Sequence, residues 1–116
     1  MNKSTVLGYM KKKYSCNVER ALDLLSGKWG TLILRELLKG PKRHKELIHG
    51  IEGINSRTLT TKLRHLEENG IIRRTVYPEV PPRVVYAITE YGEESRAIIE
   101  SLRTWGSLPR PTIHLT

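Results

Sequence analysis

The stretch RTLTTKLRHLEENGIIRR, from Arg57 to Arg74, carries the side chains of this chain best suited to chemistry with a nucleic acid. Arg57 and Arg64 can each fork onto the O6 and N7 of a guanine. Thr58 and Thr61 are short enough for close approach and offer a hydroxyl or methyl to a phosphate or a thymine. Their spacing is helical. At about 100° per residue, Leu59, Leu63 and Leu66 fall on one side, and Arg57, Thr61 and Arg64 lie within roughly 60° of the opposite direction. Thr58 and His65 stand beside them. The first two turns hold no acid, and Glu67 and Glu68 come only at the C-terminal end. That order runs against the helix dipole, which favours acids at the N-terminus and bases at the C-terminus. A phosphate partner explains the reversal, because the positive helix end and the bases then act together. The plainer alternative is a solvated amphipathic helix with chance charges, and the basic hairpin that follows argues against it.

Around this helix the same chemistry continues. Asn55 stands at the N-cap position and Ser56 opens the helix. Lys62 adds a further cation, suited to a phosphate. Arg73, Arg74 and Arg83 flank YPEVPP, whose Pro81 and Pro82 stiffen a tip that loses little entropy on settling against a DNA backbone. Glu79 is an acid at that tip, expected to make a local hydrogen bond or to face a neighbour.

Cys16 is the single cysteine, so an internal disulfide is excluded. It stands at the edge of the first expected helix, where the N-terminal dipole and the nearby Lys11, Lys12 and Lys13 lower a thiol's pKa. Two readings stand: a sensor of oxidants or electrophiles, or a small hydrophobe without chemistry. With no resolving cysteine in the chain, oxidation would end in an intersubunit disulfide or a mixed adduct. His44, His49, His65 and His114 show no metal-ligand spacing, and one cysteine is too few for a structural zinc site. No nucleophile–base constellation and no Gly-rich phosphate loop occur. Neither an enzyme, nor a metal, nor any other cofactor is expected.

The elements that must position these residues form one modest domain of 116 residues. Lys plus Arg total 20 against 12 Asp plus Glu, a formal charge of +8, which attracts a polyanion. An anionic membrane is the weaker candidate. No run approaches the ~20 apolar residues that cross a bilayer, and the N-terminal charges follow the short apolar patch instead of preceding it, unlike a secretory leader. Lone-cysteine usage fits a reducing, cytoplasmic compartment. Residues 1–15 read as a flexible basic arm. Val18, Ala21, Leu22 and Leu25 make a helical stripe that ends at Ser26-Gly27. KWGTLILRELLKG is apolar nearly all round, which marks a central helix, and Gly40-Pro41 stops it. A short helix at HKELIHG, a turn at IEGIN and the two-faced helix from Ser56 to Asn69 follow. Residues 71–77 and 83–89 read as the strands of a hairpin. EYGEESRAIIESLRTWG reads as one closing helix with Ile98, Leu102 and Trp105 on one side, and 107–116 as a loose tail.

Three helices, a hairpin and a closing helix predict an α+β, mostly helical fold. It is a winged helix-turn-helix over residues 16–106, with a two-stranded wing and a C-terminal dimerisation helix. One small core cannot cover both the Val18, Leu22 and Leu25 stripe and the Ile98, Leu102 and Trp105 stripe, so a homodimer is expected. Such a dimer reads two half-sites of an inverted repeat on double-stranded DNA, about 34 Å or a multiple of it apart.

The segments GKWGTLILREL, LTTKLRHLEENGIIRR and YPEVPPRVVYAIT resemble the HxlR-type winged helix-turn-helix transcriptional regulators, a MarR-like family of bacteria and archaea. The resemblance spans about residues 16–106. It departs at RHKEL, where His44 takes the place of the family's aromatic. It implies a homodimeric, sequence-specific DNA-binding regulator, often a repressor, dimerising through the N-terminal region and the last helix. In several members a cysteine just before the first helix senses oxidants or electrophiles, and Cys16 occupies that place here. A winged-helix module for protein interaction or RNA binding is the alternative, but a single-strand RNA reader wants exposed aromatics among its bases. Here only Tyr9 and Tyr14 lie outside strands and apolar stripes.

Overall fold

The computed structural model describes residues 14–112. Helix α1 (Asn17–Leu25) meets α2 (Gly27–Leu37) through a tight turn in which Ser26 and Gly27 both take left-handed backbone, φ 61° and 73°. The two helices touch at Gly30. A Cβ there would lie 2.0 Å from the Leu25 carbonyl oxygen, so only glycine permits the approach. Ile33, Leu34 and Leu37 of α2 are fully buried and form the middle of the core.

Helix α3 (His44–Gly50) and helix α4 (Ser56–Glu68) pack on α2 through Leu47, Ile51, Ile54, Leu59, Leu63 and Leu66. Strands β1 (Ile72–Tyr77) and β2 (Arg83–Ile88) pair antiparallel, from Ile72 opposite Ile88 to Tyr77 opposite Arg83. Lys42 adds a single rung to the free edge of β2. Its amide donates to the Tyr86 carbonyl at 2.9 Å, and the Tyr86 amide donates back at 2.8 Å. This rung ties the wing to the start of the helix-turn-helix, a link the hydrophobic pattern does not contain.

The closing segment departs from the expected single helix. It forms α5 (Glu90–Glu93) and α6 (Arg96–Ser107), broken at Glu94-Ser95. The break falls beside a close contact. A Cβ on Gly92 would lie 2.1 Å from the Ile71 carbonyl oxygen, so α5 is pressed against the backbone leading into β1. Thr89, expected as the end of the strand, instead caps α5: its hydroxyl accepts from the Gly92 amide at 3.0 Å and lies 2.6 Å from the Gly70 carbonyl. Ile71, expected to open the strand, is buried in the core. Arg96 fastens the start of α6 to α2 through the Leu38 carbonyl, 3.0 Å away.

Two further expectations shift. Leu25 is 8 % exposed and belongs to the chain's own core, because α1 ends with its last residue packed against α2. Of the expected arm, residues 1–13 lie outside the described residues. Tyr14 is not loose: its hydroxyl donates to Asp23 on α1 at 2.7 Å, and Ser15 bonds Glu19 on the same helix.

Among the described residues the one buried charged side chain is structural. Burial alone would raise the pKa of Glu36, but hydrogen bonds from Lys39 and Arg35, both at 2.9 Å, and their charges hold it below its ordinary value. Arg35 also reaches the Gly50 carbonyl at 3.3 Å, joining α2 to the end of α3.

Candidate nucleic-acid interface

Helix α4 starts where the sequence places it. Asn55 Oδ1 accepts from the Thr58 amide at 2.8 Å, so the N-terminal turn is capped and its direction is set. Leu59, Leu63 and Leu66 anchor the inner side. Arg57, Thr61 and Arg64 stand exposed on the outer side, and Lys62 is half-buried at one flank. Among the described residues, no carboxylate pairs with Arg57, Lys62 or Arg64. Ser56 is exposed at the first turn and Thr58 is half-buried above the cap.

The two flanks of α4 are held differently. His65, expected on the outer face, turns back onto α1: its Nε2 lies 3.1 Å from the Asp23 carbonyl oxygen. A carbonyl only accepts, so this nitrogen carries the proton in that bond. Asn69 donates to the His65 carbonyl at 2.9 Å and closes the corner. His65 therefore leaves the outer face of α4 and becomes a tie between helices. The opposite flank carries two groups that the sequence did not place beside the outer face. Thr60 is exposed there, and His44 of α3 reaches toward it with Nε2 3.4 Å from Thr60 Oγ1 and 3.5 Å from Ser56 Oγ. Only the positions i, i+4 of the two hydroxyls hinted at a shared partner.

On the wing, Arg73 and Arg74 are exposed on β1 and point to opposite faces of the ribbon. Arg83 is already engaged. Its Nε lies 3.2 Å from Glu79 Oε1, and its guanidinium stacks 4.0 Å from the Tyr77 ring centre. Glu79 thus works inside the wing, folding the Arg83 side chain over the tip. Pro81, Pro82 and the fully exposed Val80 make the outer edge of the tip.

A capped, base-studded helix following a short helix and preceding an arginine-flanked hairpin now has independent company. Residues 24–112 match the HxlR-like helix-turn-helix family. The chain belongs to that family. An HTH-type transcriptional regulator of Synechocystis, sll1512, is 45 % identical over 92 residues, covering 79 % of this chain and 68 % of that one. The HTH-type transcriptional regulator YodB of Bacillus subtilis is 39 % identical over 88 residues, 76 % of this chain and 79 % of YodB. Among solved structures, the redox regulator HypR in its oxidised form superposes with a TM-score of 0.77 at 38 % identity. That match covers 84 % of this chain and 100 % of HypR. The family consists of transcriptional regulators of the helix-turn-helix type, not enzymes.

In this HxlR-like chain Cys16 is exposed and occupies the N-cap of α1. The amides of Glu19 and then Val18 face its sulfur without closing a full capping bond. They hold the thiol below its ordinary pKa, against a small opposing effect of burial and with help from Ser15. The three lysines expected to assist lie outside the described residues.

Val18 and Leu22 on α1 are 68 % and 61 % exposed; Ile98, Leu102 and Trp105 on α6 are also exposed, Trp105 at 74 %. A neighbouring side of α6 buries Ile99. An apolar cleft of about 130 Å³ between α1 and α6 is lined by Ala21, Leu24 and Ile98, with Tyr91 at the α5 end. Among the described residues no group of His, Cys, Asp or Glu could hold a metal, and no helix is long and apolar enough to cross a membrane. His114 lies outside them.

Proposed function

We propose that the chain is a homodimeric, sequence-specific DNA-binding regulator, acting as a repressor, with α4 as its major-groove reader. One observation carries this reading: the outward face of α4 presents Arg57, Thr61 and Arg64 with no acid of its own pairing them, on a helix anchored by three buried leucines and an Asn55 cap. Arg57 and Arg64 read base edges. Lys62, Arg73 and Arg74 meet phosphates, and Arg83 with Pro81 and Pro82 sets the shape of the wing tip beside them. Val18 and Leu22 pair with Ile98, Leu102 and Trp105 across a two-fold axis, which fits an inverted-repeat operator with half-sites about 34 Å or a multiple of it apart. Selection from a random pool of duplexes tests this directly. An enriched inverted repeat supports it, and a pool that stays random at moderate salt defeats it.

Cys16 is the proposed input. It is exposed, its thiol is acidified by helix amides, and the similar protein HypR is described as a redox regulator. Two Cys16 thiols, one from each subunit, surrender two electrons and two protons to an oxidant and form an S–S bond; an electrophile instead forms an adduct on one sulfur. Either product at the start of α1 shifts one subunit against the other and spoils simultaneous engagement of both half-sites. Oxidant should release operator from the wild type and not from Cys16→Ser. Equal behaviour of the two proteins removes Cys16 from the mechanism.

A further inference from the structure

His44 is the one titratable side chain of α3 that leans onto the reading helix, and neither its burial nor a metal accounts for it. It is half-buried at the first position of α3, and its Nε2 faces two exposed hydroxyls of α4 at 3.4 and 3.5 Å. Both distances are long for a hydrogen bond, whose ordinary range ends near 3.2 Å. A single ring nitrogen therefore stands within reach of Thr60 and Ser56 and is fully committed to neither.

The backbone that carries the ring is held from behind. The Lys42–Tyr86 rung fixes the residue before the N-cap of α3. The Arg43 amide donates to Glu46 Oε1 at 2.9 Å, closing the first turn on which His44 sits. Asn55 fixes the start of α4 in the same way. Two rigid helix starts thus meet at the imidazole, so its nitrogen is preorganised toward the hydroxyls.

We propose that His44 is a positioning residue for base recognition, setting the hydrogen-bonding sense in which Ser56 and Thr60 face DNA. The inference rests on the reading of α4 as the major-groove element. A hydroxyl has one proton and two acceptor lone pairs. When Nε2 is unprotonated, it accepts that proton, and the hydroxyl turns lone pairs outward, toward the amino group of adenine or cytosine. When Nε2 carries the proton, it donates inward. The hydroxyl proton then turns outward, toward O6 or N7 of guanine or O4 of thymine. Without the ring the hydroxyl rotates freely and serves either class of base. His44 thereby converts a tolerant contact into a selective one at a single base pair.

The test is selection from a random duplex pool with the full chain, comparing wild type with His44→Phe, His44→Gln, Thr60→Ala, Ser56→Ala and Arg64→Ala. His44→Phe should keep the preferences that Arg64→Ala removes and weaken a different position by about 5-fold, the size of one neutral hydrogen bond. Thr60→Ala or Ser56→Ala should weaken that same position, and combining it with His44→Phe should add nothing. His44→Gln, which keeps a donor and an acceptor, should retain a preference there. Affinity for random DNA and its salt dependence should not change in His44→Phe, a result that a purely structural histidine would not give. A wild-type motif that both His44 variants reproduce unchanged, or a loss spread evenly over all sequences, overturns the proposal while leaving the operator reading intact. A wild type that enriches no sequence removes both.

Discussion

The molecule has two exposed surfaces that differ in what water does to them. One is basic, formed by the outer side of α4 and the wing. The other is apolar, formed by α1 and α6. Arg57 and Arg64 stand in solvent without an ion-pair partner at little cost, because charges are well hydrated; Glu67 and Glu68, three and four residues beyond Arg64, make no ion pair with it. Val18, Leu22, Leu102 and Trp105 stand in solvent against the hydrophobic effect, at about 25 cal/mol for each Å² left wet. The basic face can wait for its partner; the apolar face is under constant pressure to be covered. Within the basic surface there is a second contrast. The α4 arginines are free to turn to a ligand, whereas Arg83 already spends its charge on Glu79 and its plane on Tyr77.

The hardest way to break this division is through the apolar face. Leu102→Asp should convert the proposed dimer to monomer at micromolar concentration, seen by sedimentation, and lower operator affinity by about 100-fold or more as the two half-sites cease to be linked. A wild type that sediments as a monomer under those conditions would show that α1 and α6 need no cover. Next come the bases of α4. Arg57→Ala or Arg64→Ala should each cost about 1–3 kcal/mol at the base it reads, measured by competition with single-base operator variants. If both replacements leave affinity untouched, α4 is not the reader.

Smaller effects sharpen the contrast within the basic face. Arg73→Ala and Arg74→Ala should weaken all sequences alike and lower the slope of log affinity against log salt by about one unit each. Any selective loss at one base pair would move these residues from backbone to base contact. The least effect is expected at Glu79→Gln. The exposed pair with Arg83 contributes about 0–1 kcal/mol, so stability should hardly move in a thermal melt. DNA affinity should stay level or rise slightly as Arg83 is released, and a marked loss of affinity would mean that Glu79 shapes the tip the DNA needs.

Much of this arrangement was legible in the chain before any coordinates. The leucine spacing of α4, Asn55 at its cap, the β-branched strands around the prolines and the Gly40-Pro41 stop are local signals, each acting within a few residues. Most of the misreadings lie where a neighbouring element intervenes. His65 has the right helical angle for the outer face, yet the Asp23 carbonyl, 42 residues earlier, claims its ring. Leu25 shares the stripe of Val18 and Leu22, yet the left-handed turn at Ser26 folds α2 back so that Leu25 joins the core. The closing helix breaks at Glu94-Ser95, where the Ser95 hydroxyl and amide both donate to the Gly92 carbonyl while Gly92 itself lies against the Ile71 carbonyl.

From its sequence alone this protein already had its basic charge, its three-helix and hairpin order, its two-faced helix α4 and the place of Cys16 at a helix start. These follow from periodicity, capping and turn chemistry, which act over one or two turns of chain. Only the tertiary structure decided which polar groups of α4 remain free. His65 is drawn off to α1, Ser56 and Thr60 come under His44, and Arg57 and Arg64 are left open, because hydrogen-bonding capacity is limited and whichever helix packs alongside takes its share.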